Sequence, residues 1–162
     1  MEFKTLAHKE VYEKTRDHLN SLFGEVNVKS IGSLLVLQEG STFVYVRTMP
    51  IGEKKSVVEV FSYVVMDVPV TQELMLFLLA RNLKLVLGGF ALSVDEGGKG
   101  TVVLSHSILG NSMDREQLYG SVSAVARVAD DIDDQIVGKF GGSTALDRLV
   151  SQERLPTAEY WE

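Results

Sequence analysis

Apolar positions recur at helical spacing over residues 7–23. Tyr12, Thr15, Leu19, Leu22 and Phe23 form one stripe, with Glu10, Glu13, Lys14, Arg16 and Asp17 outside it. Gly24 is a natural stop. The period then changes from helical to two. Residues 34–38, 42–49 and 57–68 read as three strands joined by turns at 39–41 and 52–55, which predicts an antiparallel meander. Both faces of this meander are apolar. In its third strand Val58, Val60, Val64 and Met66 take one face, while Val57, Phe61, Tyr63 and Val65 take the other. In the second strand Val44 and Val46 oppose Phe43, Tyr45 and Met49. A sheet with one wet face alternates apolar with polar residues, so this one needs a cover on each side. Helices of the same chain can supply one cover. A second copy, a partner protein or more of this chain must at least partly supply the other.

The rest of the chain continues the alternation of elements. Thr71 is placed to cap a second helix, with Val70 and Met75 set as a hydrophobic staple. The run 74–79 leaves that helix little polar face, so it is expected to be buried nearly all round. Gly88 and Gly89 break the chain before a strand at 90–94, a turn at 96–100 and a strand at 101–108, both half-exposed by their alternation. Asp114 with Gln117 spells a capping box for a third helix, whose stripe runs Leu118, Val122, Val125, Ala129, Ile132, Ile136, Phe140 until Gly141 and Gly142 end it. A short helix over 143–152 and an extended tail follow. The predicted fold class is α+β: a helix, a three-stranded meander, a helix, a β-hairpin and a long C-terminal helix. It reads as a single domain over 1–162, with a core of about 7–141 and a C-terminal extension from 142 to 162.

Composition narrows the function classes. The 162 residues carry a formal net charge of −6 and no cysteine, which excludes disulfides, thiolate metal sites and cysteine nucleophiles. Lys and Arg are scattered rather than clustered, which argues against nucleic acid as a partner. The N-terminal stretch lacks the apolar core of a signal peptide, and the longest apolar run, 74–80, falls far short of the roughly 20 residues of a membrane span. The expectation is a soluble cytoplasmic protein without a membrane role.

Little in the chain points to catalysis. The run 96–101 invites a phosphate-loop reading, but Gly100 stands where that loop needs Ser or Thr, and a strand follows instead of a helix. A hairpin turn is the better reading. His8, His18 and His106 have no metal-ligand spacing, and no serine sits in a nucleophile elbow. Asp130, Asp131, Asp133 and Asp134 lack the spacing of a Ca²⁺ loop and read as a solvated helix face. No catalytic, cofactor-binding or metal residue is assigned, and no cofactor is expected. Interaction residues can be named: Tyr45, Val60, Phe61, Tyr63 and Val64 on the meander, and Tyr160 and Trp161 near the C-terminus. Trp161 and its neighbour either pack back on the body or insert into a partner or second subunit.

The order of elements resembles the YbjN-like group of bacterial proteins, whose fold is similar to that of type III secretion chaperones. The likeness is carried by 78–82 (Leu-Leu-Ala-Arg-Asn), 89–95 (Gly-Phe-Ala-Leu-Ser-Val-Asp), 102–104 (Val-Val-Leu), 113–118 (Met-Asp-Arg-Glu-Gln-Leu) and 126–131 (Ala-Arg-Val-Ala-Asp-Asp). It covers roughly 34–140, and the extension from 138 resembles cyanobacterial members. These are packing patterns, not catalytic signatures. The resemblance implies an α+β sandwich, frequent homodimerisation and a role in binding or regulating other proteins without catalysis. Nothing in the sequence points to a secretion system, so uncharacterised members are the fairer comparison. The expected function is a non-enzymatic, homodimeric, chaperone-like or regulatory protein with an unidentified protein client. The alternative is a small-molecule-binding or enzymatic domain using a pocket near His106.

Overall fold

The computed structural model describes residues 2–150. The elements run α1 (Leu6–Phe23), β1 (Lys29–Ile31), β2 (Leu34–Glu39), β3 (Thr42–Ile51), β4 (Lys55–Pro69), α2 (Gln72–Asn82), β5 (Gly89–Val94), β6 (Lys99–Leu109), α3 (Arg115–Phe140), β7 (Ser143–Thr144) and α4 (Ala145–Val150). The fold is α+β, as the patterning implied. It adds two short strands, β1 and β7, that periodicity could not reveal, since three residues or two carry no period. All pairings are antiparallel, in the order β1-β2-β3-β4-β6-β5, with β7 joining β4 off this path.

Local chemistry sets the helix ends. The Thr5 hydroxyl accepts from the His8 amide at 3.0 Å and starts α1. Thr71 does the same for α2 through Leu74. At α3 the Asp114 carboxylate accepts from the Gln117 amide at 2.8 Å while the Gln117 side chain accepts from the Asp114 amide, completing the box. His8 also ties α1 to the sheet, with Nε2 3.1 Å from the Thr48 carbonyl oxygen.

The helical layer lies on one face of the sheet. α1 and α3 pack on β3 and β4, and α2 packs on β5. Leu19, Val44, Val46, Val58, Val60, Leu74, Leu104, Leu118 and Ile136 form the centre of this main core. On the opposite face Leu34, Val36, Tyr45, Phe61, Tyr63, Met66 and Val103 form a second cluster, joined by Ala145 of α4.

Three expectations need correction. Strict alternation placed Met66 with Val60 and Val65 with Phe61. Instead Val65 lies in the main core and Met66 in the second cluster. Register shifts between Tyr63 and Val65 and again before Val68 mark the cause, a bulge that inverts side-chain parity along β4. Second, the α2 apolar run is not buried all round: only Leu74 and Leu78 are buried, while Met75, Leu76 and Leu79 face solvent. Helix α2 lies at the end of the sheet, where β5 and the C-terminal part of α3 cover one side of it, Phe77 meeting Phe140 edge-on at 5.4 Å. Third, β6 is half-exposed only over residues 105–109, not through its middle. Val102, Val103 and Leu104 are all buried, because β6 is an inner strand between β4 and β5.

Strand β5 is an edge of the sheet, and Asn82 at the end of α2 partly closes it. The Asn82 side chain accepts from the Phe90 amide at 2.6 Å and donates to the Phe90 carbonyl at 3.2 Å. One amide thus imitates a neighbouring strand at that residue.

Candidate functional site

The candidate residues divide between the two faces of the sheet. Val60 and Val64 lie in the main core beneath the helices and are inaccessible. Tyr45, Phe61 and Tyr63 lie together on the outer face. Tyr160 and Trp161 lie outside the described residues.

Cross-strand pairing builds the outer cluster. Tyr45 stands opposite Phe61 in the β3–β4 register, and Tyr63 follows two residues along the same face. The Tyr45 and Phe61 rings stack at 5.3 Å, while Tyr63 meets them edge-on at 5.1 and 5.6 Å. Arg47 lies over the Phe61 ring at 5.4 Å, and its Nε donates to Glu59 Oε2 at 2.5 Å, across the same strand pair. The Tyr45 hydroxyl is buried without a hydrogen-bond partner among the described residues. Burial, and then the neighbouring Tyr63, push its pKa well above the ordinary phenol range.

The cover of this face is part of the same chain. After α3, Gly141 and Gly142 both adopt positive φ, and the backbone passes alongside β4. A Cβ at Gly142 would come 2.6 Å from the Met66 carbonyl oxygen and 2.7 Å from Val65 Cγ1, so only glycine fits this passage. Then β7 pairs with β4, and α4 packs on β3 and β4. The Thr144 hydroxyl accepts from the Asp147 amide, and the Asp147 carboxylate accepts from the Thr144 amide, a capping pair for α4. Arg148 pairs with Asp67. Of the three covers the sequence allowed, more of this chain supplies at least part.

Asp133 borders the same region, beside Ser41, Ser62, Thr144 and Ala145. Burial raises its carboxyl pKa; the Asp134 amide opposes this, while the charges of Asp134, Asp130 and Asp147 add to it. A carboxylate whose folded pKa is raised destabilises the folded state above that pKa and costs nothing when protonated in both states. Asp133→Asn is therefore expected to raise the melting midpoint near neutral pH. The gain should vanish below about pH 3, where carboxylates are protonated in both states. Melting curves across that range check it, and an equal gain at every pH would contradict it.

A second apolar surface emerges on α2 and the segment after it. Met75, Leu76, Leu79, Leu83, Val86 and Leu87 are exposed, Leu83 to 89%. Periodicity alone could not find this patch, because it assigned Met75, Leu76 and Leu79 to the core and read nothing into Leu83, Val86 and Leu87.

His106 lines a cleft of about 470 Å³ with Ile108, Leu109, Ser112, Gln117 and Ser121. Burial lowers its pKa, which favours the neutral imidazole. Among the described residues no carboxylate lines this cleft to orient the ring. Gln117 is held in the capping box, and the Ser121 hydroxyl donates to the Gln117 carbonyl. Among the described residues no group of His, Asp and Glu could hold a metal ion, and no helix is long and apolar enough to cross a membrane.

Comparison with solved structures supports the architecture. The chain is similar to YbjN from E. coli at 14% identity, covering 89% of this chain and 95% of that one, with a TM-score of 0.52. It is similar to a chain of the ExoT–SpcS complex from Pseudomonas aeruginosa at 15% identity, 75% and 96% coverage and a TM-score of 0.51. A chain of the Yersinia pestis complex between the type III secretion chaperone SycH and a stable fragment of YscM2 matches at 14% identity, 74% and 98% coverage and a TM-score of 0.52. At such identities the likeness shows the fold alone. No curated protein matches the sequence. The family profile described as type III secretion (YopN, CesT) and YbjN peptide-binding chaperone 1 matches residues 10–148. The chain therefore belongs to the TY-Chap1 family, and its function is protein binding of a chaperone-like or regulatory kind.

Proposed function

We propose that this protein is a cytoplasmic, non-enzymatic bacterial chaperone or regulator that binds a polypeptide client on the outer face of its sheet. It acts as one domain, with a core of about 7–141 and a C-terminal extension. The observation that carries the reading is the outer aromatic cluster of Tyr45, Phe61 and Tyr63 on a sheet whose other face is already filled by helices. A core needs one such face. Extended polypeptides bind sheets through strand edges and apolar pockets, and Phe43 marks the partly buried rim of this one.

Photo-crosslinking in the native host tests this directly. A benzophenone side chain at Phe43 is expected to capture one or a few polypeptides that the same group at Tyr119, exposed on α3, does not capture. Identical products from both positions, or none from Phe43, would refute the assignment.

We further propose a homodimer formed through α2. An apolar run that a single copy leaves half-exposed is what a helix shared between two copies requires, and such patches are rare on monomers. The double variant Leu76→Asp/Leu79→Asp is expected to sediment as a folded monomer at concentrations where the parent is a dimer. A parent that sediments as a monomer at every concentration would dispose of the dimer.

A further inference from the structure

Strand β6 outruns its neighbour. Strand β5 begins at Gly89, opposite Ser105, whereas β6 continues to Leu109 with β4 as its partner. Residues 106–109 therefore have no described strand on their other side, and the cleft at His106 lies there. Gly88 sets one rim. At φ +76° it brings the chain so close to β6 that a Cβ would stand 2.4 Å from the Ser105 carbonyl oxygen, which holds Leu87 beside the cleft. Helix α3, which packs on β6, forms the opposite wall with Gln117, Gly120 and Ser121. His106 and Ile108 stand opposite Val60 and Val58, whose side chains lie in the main core. The cleft thus opens on the helical face, away from Tyr45, Phe61 and Tyr63.

The lining carries no Lys, Arg, Asp or Glu among the described residues. A charged ligand would give up its hydration there and meet no counter-charge. Hydrogen-bonding groups are nevertheless on offer. Neither ring nitrogen of His106 has a hydrogen-bond partner among the described residues. The neutral imidazole, which burial favours, presents one donor and one acceptor. Gln117 gives its side-chain oxygen to the Asp114 amide, which leaves its own N–H groups to donate.

Gly120 is the feature that the fold itself does not use. Glycine weakens a helix interior and is useful where something must approach the backbone closely. A Cβ at Gly120 would meet nothing within 4 Å, so no described part of the chain makes that approach. Gly138, the other glycine inside α3, is equally unconfined. Gly120 differs in lining a cleft that contains an unpartnered polar ring.

From this we infer that the His106 cleft is a binding site for an uncharged, flat, mainly apolar small molecule, laid against the bare backbone at Gly120 and hydrogen-bonded by His106 and Gln117. Leu87, Ile108 and Leu109 supply the apolar contact, and an aromatic ring suits both them and the imidazole. The volume of about 470 Å³ falls within the roughly 300–1,000 Å³ of small-molecule sites. The site is independent of the outer face, so it stands or falls apart from the polypeptide reading.

The experiment titrates the full chain with N-phenylnaphthylamine, an uncharged fluorescent amine, and separately with anilinonaphthalenesulfonate, the same skeleton carrying a sulfonate. The parent is expected to bind the amine saturably at one per chain, and the sulfonate at least about tenfold more weakly. Gly120→Leu fills the cleft from the helix wall. It should weaken the amine at least about tenfold while the melting midpoint stays no lower than the parent's, because leucine is the better helix former and its Cβ has room. His106→Leu keeps the apolar wall but removes the polar ring, for a loss of about fivefold. Leu76→Asp/Leu79→Asp removes exposed apolar surface on α2 and should leave the amine's affinity unchanged.

Unchanged affinity in either Gly120→Leu or His106→Leu would overturn the assignment. Loss of binding in the α2 variant would place the amine on the exposed patch and overturn it as well. Equal affinity for the two dyes would refute an uncharged site. No saturable binding to the parent would refute any site, and a change of sedimenting mass in Gly120→Leu would then give the cleft to a second copy. None of these outcomes touches the Phe43 crosslinks, which decide the polypeptide reading separately.

Discussion

Val60→Asp is expected to abolish the folded state under ordinary conditions. Val60 is fully buried in the main core, paired with Val46 on one side and His106 on the other, beneath α1 and α3. The substitution gives up about 1.5–3 kcal/mol of apolar burial. It also places a carboxylate in a region where an unpaired charge costs several kcal/mol more. The cross-strand neighbour His106 could answer it only by becoming charged, and burial opposes that. Against a total stability of about 5–15 kcal/mol for a domain, the sum is decisive. Circular dichroism and thermal melting check it. A cooperative transition near that of the parent would mean that Val60 lies on an accessible surface after all.

Phe61→Ala is expected to cost about 3–5 kcal/mol, the range for removing a buried aromatic ring. The residue is 1% exposed, stacks on Tyr45, meets Tyr63 edge-on and carries Arg47 over its ring. For a chain of this size that loss lowers the melting temperature by roughly 10 °C. The number separates two views of the outer face. If the cluster were open to solvent in the free protein, truncating it would change stability by no more than about 0.5 kcal/mol. If the chain covers its own face, the full core penalty appears. Urea unfolding of parent and variant decides between them.

These two residues are neighbours in sequence and belong to opposite faces, and that much was legible in the pattern. Alternation separated Val60 from Phe61 correctly and showed that both faces of the meander were apolar. It did not show that Val60 and Val64 would be sealed beneath helices, because apolarity marks burial without saying what does the burying. The same alternation misplaced Val65 and Met66. A bulge arises from how β4 meets β6 and β7, and neither partner's position is written in β4 itself.

Signals confined to a few adjacent residues carried over best. The Asp114–Gln117 box, the Thr71 cap, the turn around Gly97 and Gly98 and the stop at Gly141 depend on backbone groups within four residues, so the chain states them directly. The same holds for the long stripe of α3, where Leu118, Val122, Val125, Ala129, Ile132 and Ile136 are all buried. Helix α2 shows the limit. Its composition demanded cover all round, but at the end of the sheet Leu74 and Leu78 are buried and Phe77 is half-buried, while Met75, Leu76 and Leu79 face solvent.

The sequence by itself determined the α+β class, the order of the principal elements and the two-faced apolar sheet. Each follows from short-range periodicity and capping, which act through neighbours along the chain. Only the tertiary structure decided that the C-terminal segment crosses beside β4 to cover the Tyr45–Phe61–Tyr63 face, and that α2 is left with an open apolar side. Those outcomes depend on which surfaces meet at long range. Gly142 and Asp67 are common turn-forming residues until Met66 and Arg148 are brought against them.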